Sequence, residues 1–153
     1  MNVLIVLCGL PGSGKSTYAK YLTESGHFEC VSTDQVRKEL YGSESIQGDS
    51  EKVFNTAFFH LKSCGLIKKN CIFDATNMTP RARKRVIQEC RNYYDLMICK
   101  YINTPLEVCL QRNAQRERVV PKEVILRMAR RKFTMPSREE GFDYVETVIV
   151  NPL

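Results

Sequence analysis

Residues 9–16, Gly9-Leu10-Pro11-Gly12-Ser13-Gly14-Lys15-Ser16, decide the fold of this 153-residue chain. They match the pattern GxxxxGK(S/T), in which glycines allow successive backbone N–H groups to turn toward a phosphate. The flanks fit, because residues 2–8 (NVLIVLC) form a short apolar run typical of a buried parallel strand. Residues 15–25 have helical spacing, and Gly26 is suited to end that helix. Strand, loop and helix together predict a site for the phosphates of a nucleoside triphosphate.

The residues of this loop have separate expected roles. The backbone of residues 9–17 is expected to surround the phosphates, with contributions from Gly9, Leu10, Pro11, Gly12, Ser13, Gly14, Lys15, Ser16 and Thr17. Lys15 is expected to reach the outer phosphates, and the Ser16 hydroxyl to coordinate Mg²⁺. In the alternative interpretation the glycines serve only a tight turn between a strand and a helix. The complete pattern in its proper context favours a nucleoside triphosphate and Mg²⁺ as ligands.

Short apolar runs alternate with longer amphipathic ones along the chain. Strands are predicted at 2–8, 28–32, 71–75, 96–102 and 144–150, and helices at 15–25, 34–41, 50–69, 80–93, 105–114 and 121–132. This alternation predicts an α/β fold with an open, mostly parallel five-stranded sheet and helices on both faces, the fold of P-loop NTPases and kinases. Residues 1–153 are expected to form a single domain. Residues 42–49 are polar and glycine-rich, and predict a surface loop near the site.

Composition excludes several classes of protein. Hydrophobic residues make up 43% and charged residues 26%, which favours a soluble globular protein over a fibrous or disordered one. No apolar run reaches membrane length, and the N-terminus lacks the features of a signal peptide. The seven cysteines are odd in number and lack CxxC spacing, so reduced core thiols in the cytoplasm are expected rather than disulfides or zinc. His27 and His60 are expected to be structural.

The net charge of +6 is unevenly distributed. Residues 79–140 hold 15 Lys or Arg and 7 Asp or Glu, a net of +8, so the remaining residues carry −2. Such a basic region attracts polyanions, but a solvated helix face plus the residues that hold the triphosphate would give the same count. Charge alone leaves nucleic-acid binding open.

Further candidate residues follow the predicted strands, because ligands of open parallel sheets bind beyond the carboxyl ends of the strands. Asp34 is either a helix-capping carboxylate or a general base that accepts a proton from an attacking hydroxyl. Arg37, one turn further on, is suited to hold a phosphate of an acceptor, or is a surface arginine. Asp74 and Asn77 close the third strand, where Asp74 either holds Mg²⁺ or forms a turn, and both are candidates for substrate contact.

Residues 112–121 end one predicted helix and lead into the next, with three arginines around a predicted loop. We interpret residues 112–132 as a helical lid whose arginines approach the γ-phosphate and whose closure excludes water. A solvent-exposed charged corner is the alternative. Arg116 is the stronger candidate and Arg112 the supporting one, because the next helix begins at Pro121.

Five motifs occur in order: GLPGSGKST (9–17), STDQVR (32–37), IFDATNMTPRAR (72–83), RNAQRERVVPKEVILRM (112–128) and FTMPSREEGFDYV (133–145). In this combination the chain resembles the kinase domain of polynucleotide 5′-hydroxyl kinases, both the phage type and the metazoan end-repair type. The resemblance implies ATP- and Mg²⁺-dependent phosphorylation of a 5′-hydroxyl of DNA or RNA. It implies that Lys15 and Ser16 bind ATP and Mg²⁺, that Asp34 activates the hydroxyl and Arg37 holds the adjacent phosphate, and that Arg116, supported by Arg112, contacts the donor phosphates. Asp74 matches the family's acidic residue after the third strand.

Other acceptors fit nearly the same motif order. Kinases of this fold act on antibiotics, aminoacylated transfer RNA, sugars and nucleotide sugars, although the basic second half favours a polyanionic acceptor. A slow nucleotide-binding switch is the alternative outside the kinases, and no NKxD sequence for guanine recognition is present. The chain also lacks a DxDxT sequence, so a 3′-phosphatase activity is not predicted.

Overall fold

The structure is a computed structural model that describes residues 1–116 and 118–150. Glu117, within the predicted lid, and residues 151–153 of the predicted domain lie outside the described residues. Within the described residues five strands form one sheet in the order β2-β3-β1-β4-β5, and every pairing among them is parallel. Their bounds are β1 Val3–Cys8, β2 Phe28–Ser32, β3 Asn70–Asp74, β4 Leu96–Asn103 and β5 Tyr144–Ile149. The predicted α/β class is confirmed, and the carboxyl ends of all five strands meet at one edge.

The described part of the chain contains six α-helices, with bounds α1 Lys15–Glu24, α2 Thr33–Tyr41, α3 Ser50–Leu66, α4 Pro80–Cys90, α5 Leu106–Ala114 and α6 Lys122–Arg130. The predicted helix at 50–69 is too long, because the backbone leaves the helix at Ile67 and Lys68 has a φ of 60°. Residues 91–93 form a 3₁₀ turn rather than a last turn of α4. Residue 131 has extended backbone, so α6 ends two residues before the predicted 132. None of the described helices is both long and apolar enough to span a membrane.

Apolar clusters cover both faces of the sheet, so the central strand β1 is buried on both sides. Successive side chains of a strand point to opposite faces, so Leu4 and Val6 join one cluster while Ile5 and Leu7 join the other. The larger cluster takes its helical side chains mainly from α3 and α4. Five of the seven cysteines, all of which lie within the described residues, are buried as expected for core thiols, whereas Cys30 is exposed and Cys64 is half-buried.

A buried arginine ties two distant segments together behind the site. Arg83 of α4 is fully buried, and its guanidinium donates to both carboxylate oxygens of Glu140 at 2.9 Å. It also donates to the carbonyl of Thr134 at 2.7 Å and to that of Asn77 at 3.0 Å. Burial acts to lower the pKa of Arg83, but its bonds to Glu140 hold that pKa above its ordinary value. Arg83 thus positions the turn after β3, a role that the sequence does not predict.

Candidate active site

The loop between β1 and α1 packs closely against α5. Gly12 and Gly14 have φ values of 80° and 101°, a region that favours glycine. A Cβ added to Gly12 would lie 2.2 Å from the carbonyl oxygen of Cys109. A glycine is therefore required at position 12 both by backbone conformation and by the approach of α5.

Two hydrogen bonds fix the loop to neighbouring strand ends. The Thr104 hydroxyl, just beyond β4, donates to the carbonyl of Ser13 at 2.6 Å, and this bond is buried. The amide of Gly9 donates to the carbonyl of Thr76 at 2.9 Å. Thr104 therefore positions the phosphate loop, a role that was not predicted from the sequence. Its place directly after a strand, where site residues of parallel sheets lie, is the signal that indicates such a role.

Lys15, Ser16 and Asp74 come together at the start of α1. The Lys15 ammonium is buried and donates to the carbonyl of Leu10 at 2.8 Å. Burial lowers the pKa of Lys15, and the nearby carboxylate of Asp74 opposes that shift. The Ser16 hydroxyl donates to the Asp74 carboxylate at 2.8 Å. A hydroxyl and a carboxylate are both oxygen ligands of the kind that Mg²⁺ prefers, so these two residues fit that ion.

Asp34 sits in the first turn of α2 but does not cap it. Ser32 is the N-cap residue, and its hydroxyl accepts from the amide of Gln35 at 3.2 Å. The Asp34 carboxylate accepts instead from Arg37 at 2.9 Å and from Arg116 at 2.8 Å. Asp34 is therefore not the N-cap residue, although a carboxylate in the first turn still stabilises the helix N-terminus, and it is ion-paired with the arginines of the cleft.

Arg37 is buried, with only 7% of its surface exposed, so it is not a surface arginine. Its Nη1 binds Asp34, while its Nε is buried and has no hydrogen-bond partner among the described residues. Burial lowers the pKa of Arg37, Arg118 adds to that effect, and Asp34 opposes it. An unpartnered buried donor beside Asp34 is suited to an anionic group of a ligand.

The segment between α5 and α6 contains Arg116 and Arg118, whose side chains contact Asp34 of α2. The buried side-chain amide of Asn113 donates to the carbonyl of Val120 at 2.7 Å and accepts from the amide of Val120 at 3.0 Å. Asn113 thereby holds both ends of the segment, another role not predicted from the sequence. Arg118 donates to Gln47 at 2.7 Å, so the predicted loop at 42–49 does lie near the site.

These elements surround a cleft of about 1290 Å³. Six of the described residues that line the cleft are basic and two are acidic, namely Lys15, Arg37, Arg112, Arg116, Arg118, Arg127, Asp34 and Asp74. Phe54 of α3 also lines it, since this ring packs only in part against the core. The cleft can therefore accommodate two anionic ligands side by side.

Asn77 does not reach this cleft as the sequence predicted. Its side-chain amide is buried and donates to the carbonyl of Leu7 at 2.8 Å. Its φ of 46° is in the left-handed region, which asparagine tolerates. Since its side-chain amide is bonded within the protein, Asn77 stabilises the turn after β3 and does not contact a substrate in the cleft.

The parallel sheet and the phosphate loop between β1 and α1 define the fold of a P-loop kinase domain. The family model described as "AAA domain" matches residues 4–135. The chain belongs to this AAA domain family.

Three similar proteins come from kinase and RNA-repair contexts. The L-seryl-tRNA(Sec) kinase of Methanococcus maripaludis is 28% identical, over 96% of this chain and 58% of its own length. The bifunctional polynucleotide phosphatase/kinase of Schizosaccharomyces pombe is 27% identical, over 95% of this chain and 33% of its own. A chain of the Pnkp1/Rnl/Hen1 RNA repair complex is 25% identical with a TM-score of 0.73, over 83% of this chain and 42% of its own. This chain thus spans roughly one third to three fifths of these relatives.

Proposed function

We propose that the domain transfers the γ-phosphate of ATP to the 5′-hydroxyl end of DNA or RNA, as the phage and metazoan kinase domains that it resembles do. The observation that carries this proposal is the position of Asp34, which shares one cleft with the phosphate loop and binds Arg37 and Arg116. A phosphoryl transfer to an alcohol requires positioning, charge neutralisation and one proton acceptor beside the γ-phosphate. These residues are suited to all three tasks.

On the donor side, the amides of the phosphate loop and the Lys15 ammonium bind the phosphates of ATP. Mg²⁺, held by Ser16 and Asp74, would offset the negative charge of those phosphates. Arg116 and Arg112 line the same cleft and add positive charge from the lid. Because these charges are held in place before the reaction, they stabilise the transition state without further reorganisation.

On the acceptor side, Asp34 accepts the proton of the 5′-hydroxyl as the hydroxyl oxygen attacks the γ-phosphorus. A bond forms between that oxygen and the phosphorus, the bond from the phosphorus to the β–γ bridging oxygen breaks, and ADP leaves. Arg37 binds the phosphate on the 3′ side of the first nucleoside and so holds the hydroxyl in place.

The charge of the cleft supports a polyanionic acceptor. Six basic and two acidic side chains give the described lining a net charge of +4. A cleft of one sign attracts oppositely charged ligands and raises their rate of encounter. ATP accounts for the cations near the phosphate loop, whereas Arg37 shares the Asp34 carboxylate with Arg116 and keeps its Nε without a partner among the described residues, so an acceptor phosphate would add the negative charge that this group of side chains lacks.

A second candidate acceptor is an aminoacylated transfer RNA. The similarity to L-seryl-tRNA(Sec) kinase extends over 96% of this chain and supports it. The attacking group would then be the hydroxyl of an esterified serine rather than a 5′-hydroxyl. For either acceptor we infer a reducing, cytoplasmic location, which the unpaired cysteines support.

The test is a panel of acceptors incubated with γ-labelled ATP. The panel contains DNA and RNA 12-mers with 5′-hydroxyl or 5′-phosphate ends, together with seryl-tRNA. We expect label in the 5′-hydroxyl 12-mers and none in the 5′-phosphate ones. Label only in seryl-tRNA would replace the proposal by the second candidate. Release of labelled inorganic phosphate with no labelled acceptor would indicate a nucleotide-dependent switch.

A further inference from the structure

Part of the excess positive charge of the second half lies along α6 and on the two residues that follow it. Five exposed basic residues lie in this region, and we name them the α6 basic row: Lys122, Arg127, Arg130, Arg131 and Lys132. Among the described residues none of the five has an acidic partner within 4.0 Å. By contrast, six other basic residues of 79–140 are ion-paired: Arg83, Arg85, Arg91, Lys100, Arg116 and Arg118.

The α6 basic row is continuous with the cleft. Arg127 lines the cleft itself. Arg130 follows Arg127 at a spacing of three residues, which places the two on neighbouring positions of the helix surface, and Arg131 and Lys132 continue the chain directly beyond the end of α6. From Arg127 to Arg130 the helix rises by about 4.5 Å at 1.5 Å per residue, and the two residues that follow add at most about 7 Å. That length corresponds to two or three phosphates at about 3.4 Å per nucleotide.

The row is held in place by apolar contacts on the opposite side of α6. Ile125 is fully buried, and beyond the helix the ring of Phe133 packs on that of Tyr101 with 4.8 Å between centroids. Ile125 and Phe133 pack inward, and the exposed apolar side chains near the row are few, among them Ala129 and Met135. A surface on which five cations outnumber the apolar side chains suits a flexible polyanion better than a membrane, which would require a larger apolar face.

We propose that the α6 basic row binds the phosphodiester backbone of the acceptor strand where it leaves the cleft. The inference rests on the proposed function and deepens it, because it makes the preferred acceptor a strand of several nucleotides. Unpaired cations beside the cleft have no internal role in neutralising charge, and each phosphate that they bind releases counterions. The row thus adds affinity that is independent of base sequence.

The test compares acceptors of increasing length: a nucleoside 3′-monophosphate, a dinucleotide, a 6-mer and a 12-mer. For the wild-type protein we expect kcat/KM to rise with length up to the 6-mer. The preference for the long acceptor is the kcat/KM for the 12-mer divided by the kcat/KM for the monophosphate. In the R130Q/R131Q variant we expect this preference to fall roughly fivefold, which corresponds to the free energy of two exposed charge contacts. The matched control is K68Q/K69Q, which removes equal charge just before β3, at the sheet edge opposite the cleft.

A binding measurement separates this inference from the proposed function. The fluorescence anisotropy of a labelled, 5′-phosphorylated 12-mer is titrated at several salt concentrations, with no phosphoryl transfer involved. We expect R130Q/R131Q to reduce the slope of log K against log salt by about 1.4, for two lost contacts to a single strand. An unchanged slope, or a kcat/KM independent of length, would overturn the inference. Normal binding to the row without transfer to any 5′-hydroxyl would overturn only the proposed function.

Discussion

Substitution of Gly12 by alanine should separate the effect of a close helix contact from that of backbone conformation. Gly12 has a φ of 80°, and an added Cβ would lie 2.2 Å from the carbonyl of Cys109. Gly26 has nearly the same φ, 79°, but a Cβ there meets nothing within 4 Å. The Gly26→Ala variant is therefore a matched control that carries only the conformational cost.

The expected free energies differ by the cost of the contact. A left-handed conformation costs a residue with a Cβ about 1–2 kcal/mol, so we expect Gly26→Ala to lower the free energy of unfolding by that amount. Gly12→Ala adds the cost of overpacking, about 1–3 kcal/mol. Since a carbonyl of α5 cannot move without its helix, the loop should shift instead. We therefore expect the Gly12 variant also to bind ATP more weakly.

Urea denaturation gives the free energies of unfolding, and titration with ATP gives the affinities. We expect Gly12→Ala to be the less stable variant and the only one of the two with weakened ATP binding. If the two variants have equal stability and equal affinity for ATP, the close packing of the phosphate loop against α5 is wrong.

Two further predictions concern charged side chains behind the cleft. Glu140→Gln should lower the free energy of unfolding by about 3–5 kcal/mol, because it leaves the buried Arg83 guanidinium without its counter-charge. Urea denaturation measures this loss, and the exposed neighbour Glu139→Gln should show little change. Equal free energies of unfolding for the two variants would refute a structural role for the Arg83–Glu140 pair. Hydrogen bonds from Arg91 and from the amide of Met97 hold the pKa of Asp143 below its ordinary value in the folded protein. The unfolded chain therefore binds more protons than the folded one as the pH falls. The contribution of Asp143 to stability is complete above about pH 4 and is lost below it. Asp143→Asn should remove that part of the acid dependence of unfolding, and an unchanged acid profile would contradict the assignment.

The parts of the fold that depend on local pattern are predictable from the sequence. The strand, glycine-rich loop and helix around Lys15 are contiguous, so their residues alone specify them. The parallel sheet follows from alternation of apolar and amphipathic runs. The errors at helix ends are local as well, because the left-handed Lys68 and the extended Arg131 leave no periodic signal.

The parts of the site that depend on long-range contact are not predictable in this way. In the sequence Asn77 is a polar residue at a strand end, where a ligand contact is expected. In the structure its side-chain amide donates instead to the carbonyl of Leu7, 70 residues away in sequence. Arg83 looks like one of several basic residues of α4, yet Glu140 makes it a buried support. Asp34 could be a cap or a base from sequence, and only the structure shows Ser32 in the capping position.

The most direct test of the proposed transfer is the rate at which label passes from γ-labelled ATP to a 5′-hydroxyl 12-mer in the Asp34→Asn variant. The control is Glu24→Gln, an exposed carboxylate at the end of α1. We predict transfer by the wild-type protein and a loss of at least about 100-fold in the Asp34 variant, since a positioned general base contributes 10²- to 10⁴-fold. ATP binding should persist in both variants. No transfer by the wild-type protein, or an Asp34 variant as active as the control, would contradict the proposal.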